Sequence, residues 1–108
     1  MIQITIETNK DEQIIGYSVI GHANIAPKGQ DIYCAGISSL AQSTYMCLEN
    51  YLKKAIIGES GKGRLVLKLK DKPDEKTETA FQVMLIGFRE IEKLVPKAVK
   101  IVFKEVDN

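Results

Sequence analysis

The pattern of the chain predicts a single α+β domain over residues 1–108, with elements in the order β-β-α-β-α-β and a mainly antiparallel sheet packed with two helices. Three observations carry this. Short apolar alternations stand at both ends and in the middle of the chain. Two longer stretches repeat apolar residues every three or four positions. No linker, repeat or low-complexity segment divides them.

Each element follows from its residues. Ile2, Ile4 and Ile6 alternate with Gln3, Thr5 and Glu7, the period of a half-buried strand. Asn9-Lys10-Asp11-Glu12 signals a turn, and Ile15, Tyr17 and Val19 alternate again, so the first two strands read as a hairpin. Ala23 to Gln30 is a loop containing Pro27, which lacks a backbone donor, and Gly29, which tolerates positive φ. Asp31 then caps a helix whose stripe is Ile37, Leu40, Ala41, Thr44, Cys47, Leu48, Tyr51 and Leu52. Gly58 and Gly61 mark its exit. Leu65, Leu67 and Leu69 alternate as a third strand. A second helix begins between Asp74 and Thr77 and carries Ala80, Val83, Met84, Gly87, Ile91 and Leu94, with Phe81, Leu85 and Phe88 beside them. So wide an apolar face is expected either in the core or at a subunit contact. Pro96 stops the helix, and Val99, Ile101 and Phe103 form the last strand.

Composition removes several classes of function. The chain has 108 residues, of which 44% are hydrophobic, enough for one modest core. A formal charge of +1, with both signs spread along the sequence, gives no electrostatic case for nucleic acid or an anionic membrane. The first residues lack the basic start and continuous apolar run of a signal peptide, and no run is long enough to span a bilayer. Two cysteines fit a reducing compartment better than a disulfide scaffold, so a cytoplasmic protein is expected. One histidine and two cysteines, without Cys-x-x-Cys spacing, make no zinc site, and no cofactor is called for. Gly58, Gly61 and Gly63 lack the pattern of a phosphate loop.

The residues able to carry chemistry gather between Gly21 and Leu52. If Asp31 is the cap, Cys34 falls in the first helical turn, where the macrodipole and unpaired N–H groups favour a thiolate. The same N–H groups can hold an oxyanion, and the small Ala35 and Gly36 allow a substrate backbone to approach. His22, the sole histidine, ends the second strand twelve residues before Cys34, and a strand–loop–helix unit can bring imidazole to sulfur. Each residue also has a plainer reading. Lone cysteines are usually buried structural groups, and a histidine beside a turn is usually a surface residue. Asp31 is more commonly a cap than a catalytic group. Ser38, one turn beyond Cys34, can bond near the sulfur or back to a carbonyl of its own helix. Cys47 lies on the apolar stripe and reads as core.

The motif Gly21-His22-Ala23, then Gly29, Asp31, Cys34-Ala35-Gly36 and Ser38, resembles the ribosomal-processing cysteine proteases called Prp, found in bacteria and some of their phages. The likeness extends over essentially the whole chain. It implies a cysteine endopeptidase with Cys34 as nucleophile and His22 as its base, and with Gly21, Asp31, Ala35 and Ser38 in support. It implies a protein substrate: the short hydrophobic N-terminal extension of a large-subunit ribosomal protein, or a phage capsid or scaffold protein with a similar cleavage sequence. It also implies a homodimer. Two other readings stay open. One is a non-enzymatic ribosome- or RNA-associated binding module using Tyr17 and the lysines around Leu67. The other is a thiol redox sensor at Cys34.

Overall fold

In a computed structural model the structure describes residues 1–21 and 31–107. Among the described residues five strands and two α-helices follow one another: β1 (Ile2–Thr8), β2 (Ile14–Ile20), α1 (Asp31–Met46), β3 (Ile56–Gly61), β4 (Arg64–Leu69), α2 (Glu75–Leu94) and β5 (Val99–Glu105). The five strands form one sheet in the order β3-β4-β2-β1-β5. Every pairing is antiparallel except that of β1 with β5. The predicted α+β class, its two helices and its mainly antiparallel sheet are all present.

One strand more than the sequence pattern suggested lies between α1 and β4. The first helix does not end at Gly58. Its last turn, Cys47–Tyr51, widens to a π-helix. The Leu52 N–H donates to the Cys47 carbonyl five residues back, at 2.8 Å, and the Lys54 N–H donates to Leu48 O at 2.9 Å. Lys53, at φ 55°, closes the end in the left-handed conformation. The chain is then released early enough for Ile56–Gly61 to pair with β4 across the two-residue turn Lys62–Gly63. The wider turn also carries Tyr51 off the predicted stripe, so its ring is 81% exposed.

Alternation along the strands assembles the core on one face of the sheet. Ile4 pairs with Val19, Ile6 with Tyr17, and Tyr17 with Leu67, so these side chains form continuous rows. Both helices cover them: Ile37, Ala41 and Leu48 come from the first helical segment, and Phe81, Met84, Leu85 and Phe88 from α2. On α2 the large rings take the interior. Val83 and Leu94, on the wide apolar face expected in the core or at a subunit contact, are 61% and 66% exposed. Cys47 is half-buried at the side of the helix rather than in the core.

Local chemistry fixes the ends of the elements. The Asn9 carboxamide oxygen accepts from the N–H groups of Asp11 and Gln13, at 2.9 and 3.0 Å, and folds the β1–β2 turn around Glu12 at φ 63°. Asp74 caps α2 by accepting from the Thr77 N–H at 2.9 Å, while the Thr77 hydroxyl accepts from the Asp74 N–H at 3.0 Å. That reciprocal pair explains how Thr77 can be wholly buried.

Candidate active site

Two anchors set α1 on the sheet. The buried Tyr17 hydroxyl donates to the Ala41 carbonyl at 2.7 Å, tying the middle of the helix to β2. Burial, and secondarily the neighbouring Tyr45, push the Tyr17 phenol well above its ordinary ionisation range, so it stays a neutral donor. Its ring meets Phe81 edge-on, with centroids 6.0 Å apart. Further along the helix, Tyr45 lies against the backbone of Gly58, where any side chain would overlap its ring. The glycine read as a helix exit is the flat spot in β3 on which the helix rests.

These anchors direct the N-terminal end of α1 towards the end of β2. Asp31 is the first helical residue rather than the residue before the helix, and Cys34 remains in the first turn. Cys34 is 7% exposed, and it lines a cavity of about 230 Å³ between α1, the β3–β4 turn and the strand ends. Several residues bordering that cavity, among them Ser38, Gln42, Ser60 and Gly61, are exposed, so the cavity opens to solvent.

Gly21 borders the same cavity. Its backbone sits at φ 136°, a conformation suited to glycine, and its N–H donates to the Gly63 carbonyl at 2.9 Å. This bond carries the β2–β4 pairing one residue past the strand and holds the point from which the chain departs for His22. His22 and the loop 23–30 lie outside the described residues, as does the side chain of Asp31.

The other expected residues separate. Ser38 borders the cavity and accepts a 3.3 Å hydrogen bond from the Gln42 amide, a partner different from either expected for it. Ala35 is exposed on the helix and does not line the cavity. Gln42 and Ser60 enter the site only through the fold. The signal for Ser60 was the apolar start Ile56-Ile57 followed by Lys62-Gly63, a two-residue hairpin connection. Among the described residues, no helix is long and apolar enough to cross a membrane.

A cysteine in the first turn of a helix, facing a solvent-open cavity on an α+β sheet, is an arrangement suited to thiol chemistry. The model of the family described as cysteine protease Prp matches residues 1–100, which sets the class as cysteine protease. A ribosomal processing cysteine protease Prp from Bacillus subtilis is 31% identical over 90 residues, covering 81% of this chain and 80% of its own length. The chain belongs to the cysteine protease Prp family. Two crystal structures of the essential ribosomal processing protease Prp from S. aureus share the fold. The one in complex with a substrate peptide matches with a TM-score of 0.87 at 20% identity, covering 96% of this chain and all of that one. The one with a covalently linked product peptide matches with a TM-score of 0.85 at 21% identity and the same coverage.

Proposed function

We propose that the protein is an endopeptidase in which the Cys34 thiolate attacks the scissile carbonyl and His22 is the general base. His22 takes the thiol proton and returns it to the leaving amine, and water then hydrolyses the acyl-enzyme. Backbone N–H groups of the first α1 turn, which have no partner within the helix, stabilise the oxyanion. The single observation that carries this reading is the position of Cys34: first helical turn, bordering a solvent-open cavity that Gly21, bonded directly to His22, also borders. Asp31, as first helical residue, and Ser38, one turn beyond the sulfur, support the two.

The substrate is the N-terminal extension of a large-subunit ribosomal protein, in line with the name of the B. subtilis relative, and the site of action is the cytoplasm. A phage capsid or scaffold protein with the same cleavage sequence would suit the same site. Val83 and Ile86, exposed side by side on α2, support a homodimer.

The test is cleavage of a recombinant ribosomal-protein precursor, followed by mass spectrometry. Cys34→Ala is expected to remove cleavage completely while its circular dichroism stays that of the parent. His22→Ala is expected to reduce the rate by about 100-fold or more, the ordinary contribution of a positioned general base. Cleavage by Cys34→Ala at the parent rate would overturn the assignment.

A further inference from the structure

The even spread of charge along the sequence does not survive folding. Both helices pack on the face of the sheet that carries Ile4, Ile6, Tyr17 and Leu67. The opposite face holds, among the described residues of the strands, four exposed cations and two carboxylates. Arg64 on β4 and Lys100 on β5 stand at the two sides of one cross-strand row, which runs through Ile20 and Gln3. Lys68 and Lys104 stand likewise in a second row, through Gly16 and Glu7. Neighbouring strands lie about 4.8 Å apart and a strand rises about 3.3 Å per residue, so the cations mark the corners of a patch about 14 by 13 Å.

The ground between these two columns is low and uncharged except at Glu7. Ser18 and Thr5 are cross-strand partners on β2 and β1, and Gly16 has no side chain at all. Glu7 lies close in, its side chain 14% exposed and paired with Lys68 at 3.6 Å. Glu59 stands to the side on β3, with its carboxylate 4.0 Å from Arg64. Among the described residues, no aromatic ring faces out from this side of the strands.

These features choose among polyanions. Single strands are held by stacking their bases on rings, and this face offers none. The major groove of DNA takes an inserted helix or two-stranded ribbon, and its minor groove is only about 6 Å wide. The minor groove of an A-form RNA duplex is wide and shallow, with a phosphate backbone along each side and hydroxyls across the middle. We propose that this face of the sheet docks on the minor groove of double-stranded RNA, with the β4 and β5 cations on the two backbones and no reading of base sequence. The turn between β3 and β4 borders both this face and the cavity of Cys34, so a protein seated on such an RNA would be held beside the thiol. The docking itself is independent of the proposed proteolysis.

The test is fluorescence anisotropy of a labelled RNA duplex of about 16 base pairs, titrated with the full chain. Four phosphate contacts are expected to make affinity fall about 100-fold between about 50 and 200 mM salt. The double variant Lys100→Gln/Lys104→Gln is expected to bind about tenfold or more weakly at the lower salt, with the slope of log affinity against log salt reduced by about 2. Its circular dichroism stays that of the parent. Lys76→Gln/Lys93→Gln makes the same change in net charge on α2, across the sheet, and is expected to bind as the parent does. Cys34→Ala is expected to bind as the parent does too, whatever its effect on cleavage. No binding at the lower salt, or equal weakening by the two double variants, would overturn the proposal. So would tighter binding to single-stranded RNA, to a DNA duplex of the same sequence or to phosphatidylserine vesicles.

Discussion

A Cβ placed on Gly21 would meet the Met1 carbonyl oxygen at 2.5 Å and the Ile2 Cα at 2.9 Å, both backbone atoms that cannot swing away. The φ of 136° adds a backbone cost that an L-residue escapes only by moving. Gly21→Ala is therefore expected to lower stability by about 1–3 kcal/mol, read from urea unfolding. Its cleavage rate is expected to fall further than that loss explains, because the same shift displaces the chain leading to His22. Parent stability and parent rate together would show that the close approach to Met1 is dispensable. Tyr17 shows a different kind of constraint. One hydroxyl bond to Ala41 links β2 to the middle of α1, so the strand that precedes His22 in the chain and the helix that carries Cys34 share a buried anchor.

At the scale of elements, the N-terminus of α2 couples charge to fold. The Asp74 carboxyl is held below its ordinary range, chiefly by its hydrogen bond to the Lys54 ammonium and then by the Thr77 N–H. A carboxyl whose folded pKa is depressed contributes stability above its unfolded pKa and loses it as pH falls through the folded value. Asn caps a helix about as well as Asp, so Asp74→Asn isolates the charge. The variant is expected to unfold at lower urea than the parent at pH 7, and the gap to close as pH falls below the ordinary carboxylate range. A gap of constant size across that range would assign the effect to capping alone.

The elements also show how far periodicity reads the fold. Ile2, Ile4 and Ile6 declare β1 because one side of the strand is buried and the other wet, and Leu65, Leu67 and Leu69 declare β4 for the same reason. In β3 the burial is almost one-sidedly absent, so Ile56–Gly61 has no alternation to display. Its glycine at position 58 answers to Tyr45, a partner thirteen residues earlier that periodicity does not register. Tyr51 was misplaced because a 3.6-residue repeat was extended through a π turn. Spacing left the wide face of α2 open between core and subunit contact, because the helix is apolar on more than one side, and Val83 and Leu94 lie on its exposed part. Within the site, first-turn placement of Cys34 was legible from Asp31 and the apolar stripe. Gln42 was not, since an exposed amide on a helix carries no mark until a strand turn is seen across the cavity from it.

At the scale of the whole molecule, the second apolar face of α2 bears on assembly. Val83 and Ile86 are 61% and 60% exposed, and polar Gln82 and Glu78 lie near them. If this face joins two copies, Ile86→Lys is expected to convert a dimer in sedimentation velocity to a monomer without loss of helix content. Equal sedimentation of variant and parent would place the contact elsewhere. On the opposite side of the sheet, Glu7 and Lys68 pair at 3.6 Å, beside Ile57, which is cross-strand from Lys68 and 59% exposed.

The parallel contact between β1 and β5 joins Ile2 to Val99 and Ile4 to Ile101, segments separated by almost the full length of the chain. During synthesis β1 therefore waits, with one flank unpaired, until Val99–Glu105 has been made. Hairpin β1–β2 can close early, but its isoleucines are sealed only by the last strand to arrive. The complete sheet beneath α1 therefore forms only after Val99–Glu105 has left the ribosome, however early Cys34 is made.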